Sequence, residues 1–343
     1  MKKDIYSIGK HLISYINIPF ASQHTKKKDD AKDFHEILRL AKMHGVENIL
    51  YYALIEEEYV PIQVLAAIKK LHEQATLKSV VMEAESISLC EMLESLQVKH
   101  CFLKGSILKR LYPKEDMRSM VDVDILIEKD KRNEVKQAMI ELGYTVGHLS
   151  GNHDVYFKKP YMNVEMHHAM MHDIYEISKY YKDIWSSLKQ VNSKEFSYEM
   201  LQEDFYIYMM VHNAKHFSNS GIGIRSILDV LVYLKHYEEQ MDFVYIRKEL
   251  AKLGLLLFEE NMLRLMRVWF LGSNEVVDRD LESYIIESGT HGILKHKHAI
   301  MGFMGVSSID RFNRGKYKYL FRLIFPTFFD MKMRNPILKK VPI

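Results

Sequence analysis

Residues 117–130 read MRSMVDVDILIEKD. Asp122 and Asp124 stand one residue apart in a run otherwise made of Val, Ile and Leu. Aspartate is a weak strand former and is costly to bury without a partner, so the pair calls for a physical reason. Side chains i and i+2 of a strand point to one face, about 6.6 Å apart along the chain. Asp122 and Asp124 therefore share a face, and Val121, Val123 and Ile125 take the other. Carboxylates placed this way can converge on a hard cation such as Mg²⁺. By itself the pair is weak evidence, since such a motif arises by chance and a solvated edge strand carries it harmlessly.

The flanking sequence gives the strand a setting. Upstream, VKHCFLKG (98–105) is a short strand pattern ending in glycine, and SILKRLYP is a short helix stopped by Pro113. Downstream, KDKRNEVKQAMIELGY is an amphipathic helix closed by Gly143, and YTVGHL, HDVYFKK and MNVEMHHAM are successive strands separated by turn-rich SGN and KPYMN. The middle of the chain thus reads β-α-β-α-β-β-β. In MNVEMHH, Asn163, Glu165 and His167 share one face, Val164 and Met166 the other. If this strand lies beside the aspartate strand in register, Glu165 brings a third carboxylate to the same face. Three such groups repel one another unless cations neutralise them, which favours a metal site over scaffolding.

Lys104-Gly105-Ser106 sits where a strand hands over to a helix. Backbone N–H groups, the Ser106 hydroxyl and the Lys104 ammonium there could contact phosphate oxygens. The plainer alternative is a tight turn at Gly105 with Ser106 as a helix cap.

On both sides of this core the periodicity is helical. DFHEILRLAKMHGVENILYYAL and the stretch from Pro61 to Leu96 repeat apolar residues every three or four positions, with Pro61 placed for a helix start. From about Asp173 the pattern returns to helix. The expected fold is α+β: a small mixed sheet flanked by helical regions, divided as 1–97, 98–172 and 173–343.

Together these motifs resemble the nucleotidyltransferases of the DNA polymerase β type. More closely, the order KG…Y…R…DxDxL, here Lys104-Gly105, Tyr112, Arg118 and Asp122 to Leu126, resembles the bacterial nucleotidyltransferase family NTP_transf_5. A downstream H…KH…R…D pattern is matched by His212, Lys215, His216, Arg225 and Asp229. The chain departs from the commoner pattern in carrying glutamate, Glu165, as the third acid; glutamate still ligates Mg²⁺. The resemblance implies that Asp122, Asp124 and Glu165 hold two Mg²⁺ ions, with Mn²⁺ as a substitute, and that Glu165 helps deprotonate the acceptor. An acceptor hydroxyl or phosphate would attack the α-phosphorus of a nucleoside triphosphate and release pyrophosphate. Lys104, Gly105 and Ser106 would cradle the leaving phosphates, while Arg118 stabilises charge or braces the carboxylates. Lys215 and His216 either contact nucleotide or acceptor or serve the fold. The acceptor class stays open among small molecule, protein and RNA. The rival reading is a catalytically silent module that binds a nucleotide or a partner.

Composition sets the outer limits. The 343 residues are 48% hydrophobic and 27% charged, with a net charge of +3, which does not suit a dedicated DNA binder. From Asp310 onward nine Lys/Arg face two aspartates; that tail is either a solvated basic face or a contact for a phosphate-bearing partner. With only Cys90 and Cys101, a disulfide framework is not expected and the cytoplasm is the natural compartment. The N-terminal apolar stretch is interrupted by charge and reads as a helix rather than a leader, and no run suits a membrane span. Seventeen histidines invite a metal reading, but His212 lacks the following glutamate of a zinc-protease motif. FYIYMM and KYKYLF read as core.

Overall fold

The aspartate strand lies at the centre of a seven-stranded mixed sheet in the computed structural model, which describes residues 4–20, 34–149, 151–173, 175–219 and 221–290. The helices are α1 (Ile5–Asn17), α2 (Phe34–His44), α3 (Glu47–Leu54) and the long α4 (Ile62–Ser95). Then follow β1 (His100–Phe102), α5 (Gly105–Leu108), β2 (Val123–Ile127), α6 (Arg132–Glu141), β3 (Thr145–Leu149), β4 (His153–Lys158) and β5 (Met162–His167). The chain continues with β6 (Lys189–Gln190), β7 (Ser197–Glu199), α7 (Gln202–Asn219), α8 (Ile224–Tyr237), α9 (Phe243–Leu253), α10 (Leu256–Phe270) and α11 (Arg279–Ser288).

The strand order is β3-β4-β5-β2-β1-β7-β6. β2 runs antiparallel to β1 and parallel to β5, so its backbone groups are paired on both sides. The expected β-α-β-α-β-β-β order is present, and the fold is mixed α/β. The return to helix after Asp173 is interrupted: β6 and β7 extend the sheet, with β7 parallel to β1.

Alternation along β2 and β5 divides the sheet into two environments. Val123, Ile125, Ile127, Val164 and Met166 bury themselves in a cluster with Leu89 and Leu93 of α4 and Val135 and Met139 of α6. Burying each such side chain is worth about 1.5–3 kcal/mol, which fixes the strand register, because a one-residue slip would turn the whole apolar set outward. Leu126 joins the larger cluster on the opposite side, with residues of α1, α3, α7, α8, α10 and α11. This second face is where Asp124 and Glu165 must point. The FYIYMM run of α7 belongs to that core, as expected.

The N-terminal helices close against the end of the described chain. His44 donates from Nε2 to the Ile286 carbonyl at 3.0 Å and accepts at Nδ1 from the Ile224 N–H at 3.1 Å. Glu282 of α11 accepts from Lys10, Tyr6 and Trp269. Among the described residues no helix is long and apolar enough to cross a membrane. The basic tail from Asp310 and the KYKYLF run lie outside the described residues.

Candidate functional site

The parallel pairing of β2 and β5 makes Asp124 and Glu165 direct partners across the sheet. Same-face partners of paired strands have Cβ atoms about 5 Å apart, and the condition set by the alternation of Glu165 is thus met. Glu165 shares its face with His167, two residues on. One ligand atom each of Asp124, Glu165 and His167 lies within 4.8 Å of the others. His167 Nε2 is 2.8 Å from Asp124 Oδ1 and 3.4 Å from Glu165 Oε2.

Lys104 completes this cluster from the turn after β1. Its ammonium is 2.6 Å from Asp124 Oδ1. The position depends on unusual backbone: Lys104 has φ +46° and ψ −112°, a region that costs a non-glycine residue about 1–3 kcal/mol and persists only where surroundings enforce it. Here β1 holds one side of the turn and α5 the other. Gly105 lets Arg118 approach closely: a Cβ there would stand 2.8 Å from Arg118 Nη1 and push that side chain aside.

Burial alone would raise the Asp124 carboxyl, but the Lys104 ammonium and the His167 hydrogen bond hold it well below the usual carboxylate range. Asp122 differs: burial, then the charge of Asp124, pushes it up. Asp122 precedes β2 and lines the same cleft without joining the 4.8 Å cluster. The His167 hydrogen bond lowers Glu165 against the effect of burial.

The opposite wall comes from α7 and α8. His212, Lys215 and His216 face a cleft of about 510 Å³ that also holds Lys104, Gly105, Asp122, Asp124, Glu165, Arg118 and Arg225. Burial, reinforced by Lys104, lowers the Lys215 ammonium; burial, reinforced by Lys215, lowers His216 to about 4. Lys215 has no carboxylate within ion-pair distance among the described residues and lies 6.0 Å from the Tyr175 ring centre. A cleft that carries acids on its sheet face and uncompensated cations on its helical wall suits a ligand bearing both a metal and phosphates.

Arg118 lines the cleft but is held by another partner. Its Nε and Nη2 donate to Asp229 of α8 at 2.8 and 2.9 Å, and the Tyr112 hydroxyl donates to the same carboxylate at 2.7 Å. It therefore fixes the segment before β2 to the helical wall rather than bracing Asp122 or Asp124.

Ser106 is the expected site residue that the structure does not bring to the carboxylates. Two positions beyond Lys104, the first turn of α5 rotates it to a separate cavity of about 470 Å³, where its buried hydroxyl has no hydrogen-bond partner among the described residues. His167 is the residue that the site reading passed over. Its signal was its alternation with Glu165.

The donor set fits a divalent cation. Two carboxylates in register, with Asp122 lining the same cleft, offer oxygen ligands of the kind Mg²⁺ takes, and His167 adds a nitrogen that Mn²⁺ accepts more readily. Lys104 Nζ, the cation on Asp124, marks where positive charge is favoured.

Neither a curated protein nor a solved structure was found to match the chain. A family described as uncharacterised nucleotidyltransferase matches residues 30–271. That span contains the carboxylates, the Lys104 turn, Arg118 and the wall of α7 and α8, so the chain belongs to this nucleotidyltransferase family.

Proposed function

We propose that the cleft performs Mg²⁺-dependent nucleotidyl transfer from a nucleoside triphosphate. The observation that carries this reading is the pairing of Asp124 with Glu165 across the sheet, opposite Lys215. Asp122, Asp124 and Glu165 would hold the cation, with His167 as a further donor. When bound, the cation would neutralise charge on the reacting phosphate. An acceptor oxygen forms a bond to the α-phosphorus as the bond to the bridging oxygen breaks. The electron pair leaves with pyrophosphate, and a hydroxyl acceptor gives its proton to Glu165. Lys104, Lys215 and the Gly105 turn would hold the triphosphate, with His216 beside Lys215, and Arg118 would keep the wall in place. Two free, buried thiols, Cys90 and Cys101, favour a reducing compartment, the cytoplasm.

The test is incubation with each α-labelled nucleoside triphosphate and Mg²⁺ or Mn²⁺, with a cell extract as the acceptor source. Pyrophosphate release and label transfer are expected, both lost in Glu165→Gln. Transfer unchanged in that variant would end the assignment. Nucleotide binding without transfer would indicate the silent module instead.

A further inference from the structure

A third cavity, of about 520 Å³, adjoins the cleft; Arg118, Ser119, Met120, Val121 and Arg225 border both. Its far side is the middle of α4, which contributes Lys78, and the turn after α2, near Lys42. Lys109 and Arg118 on this wall are already neutralised, by Glu83 and Glu115 and by Asp229. Lys42, Lys78 and Arg225 are not: among the described residues none has a carboxylate within 4.0 Å. Arg225 donates from Nη1 to the Ser119 carbonyl at 2.9 Å, which satisfies one of its five N–H groups. Burial and the nearby Arg118 disfavour its charge.

The acids of this cavity are Glu47 and Asp116. Asp116 accepts from Asn48, Tyr52 and Thr76, and burial pushes Glu47 up. Three cations therefore remain against two acids, one saturated with hydrogen bonds and one disfavoured as an anion. The two cationic flanks also belong to different acids. Lys215 is under the influence of Glu165 and Asp124, whereas Lys78 is under that of Asp122 and then Glu47. A second cationic region beside the one that faces the carboxylates suits an acceptor that is itself an anion.

We infer that the cavity between α4 and Arg225 is the acceptor site, and that it takes a small molecule bearing a phosphate. A guanidinium and an ammonium converging from two elements suit phosphate oxygens, and the volume is that of a small-molecule pocket rather than a polymer groove. This inference rests on the nucleotidyl-transfer reading of the neighbouring cleft.

The test separates the two. The full chain is saturated with Mg²⁺ and a mixture of the four α,β-methylene nucleoside triphosphates, then titrated with inorganic phosphate, glucose 1-phosphate, glucose and a 5′-phosphorylated RNA oligonucleotide. Saturable binding of inorganic phosphate or glucose 1-phosphate is expected, weakened about tenfold by Lys78→Met, unchanged by Lys215→Met, and absent for glucose. Lys78 is half-buried in the cavity wall and makes no ion pair among the described residues, so Met in its place keeps the fold; a melting curve matching the parent verifies that. Phosphate binding indifferent to Lys78→Met, or absent while the nucleotide analogues bind, would overturn the inference and leave the transfer reading standing. Tighter, Lys78-dependent binding of the RNA would overturn the small-molecule assignment. Failure of every analogue to bind would instead count against the transfer reading, and Lys78-dependent phosphate binding would still support the anion site.

Discussion

Lys104 Nζ and Asp124 Oδ1 lie 2.6 Å apart at the buried end of the cleft, on the carboxylate that Glu165 faces across the sheet. Asp124 is thus the charge on which local stability depends and, in the proposed reading, cation binding as well, whereas Asp122 carries its charge at a cost. Asp124→Asn should abolish label transfer and destabilise the fold by about 3 kcal/mol, because Lys104 loses the carboxylate that keeps it paired. Asp122→Asn should abolish transfer with a melting temperature equal to or above the parent's. Parallel melting curves and transfer assays check this; equal destabilisation by both variants would contradict it.

The imidazole of His167 sets the second expectation. A nitrogen donor beside two carboxylates favours Mn²⁺ over Mg²⁺, so Mn²⁺ should support half-maximal transfer at a lower concentration than Mg²⁺. His167→Gln should narrow that gap about tenfold, since removal of a ligand partner typically costs that much in affinity. Metal titrations of parent and variant read the ratio. A gap unchanged in the variant would remove His167 from the donor set.

His44 gives the fold a pH dependence of known sign. Burial lowers its pKa from 6.5 to about 4, so the unfolded chain binds the proton more readily. The stability it confers is full above pH 6.5 and is lost as pH falls toward 4. Between pH 7 and pH 5 this one group should remove about 2 kcal/mol. Chemical denaturation at the two pH values measures the loss, and His44→Asn should reduce it.

The two cysteines should differ sharply in reactivity. Burial would raise the Cys90 thiol, but His100 Nε2 at 3.3 Å and Lys194 Nζ at 2.8 Å bring it to about 7. Burial pushes Cys101 up to about 12. Iodoacetamide should label Cys90, which borders the 470 Å³ cavity, with a rate that rises through pH 7, and should leave Cys101 intact in the folded chain. Lys194→Met should move the midpoint upward. Peptide mass spectrometry after timed quenching distinguishes the sites; comparable labelling of both would refute this.

The parts of the fold legible in sequence are those whose apolar faces are continuous. β2 and β5 announced themselves because Val123, Ile125, Val164 and Met166 alternate with polar partners, and α4 because Pro61 starts a long apolar repeat. β6 and β7 escaped because Lys189, Gln190 and Glu199 are exposed and because β7, on which β6 pairs, is itself held by β1 from almost a hundred residues away. Local pattern carries no trace of such a partner. Within the site, the carboxylates were legible by the same alternation. The direction of Ser106 was not, since it depends on how one helical turn leaves Lys104, and Lys104 itself gives no hint of a positive φ. The partnership of Arg118 with Asp229 joins residues that only tertiary packing brings together.

That partnership bears on how the protein is made. The carboxylates and the Lys104 turn are synthesised before residue 170, but Arg118 has no anionic anchor until Asp229 has emerged. His44 waits longer, for Ile224 and then Ile286, and Lys10 waits for Glu282. A chain growing from its N-terminus can pack α1, α2 and α3 on one another at once, but the contacts of α1 with α10 and α11 wait until those helices have been made. The wall that α7 and α8 give the cleft is absent until those helices have been made, so the site cannot be complete before Asp229 has left the ribosome.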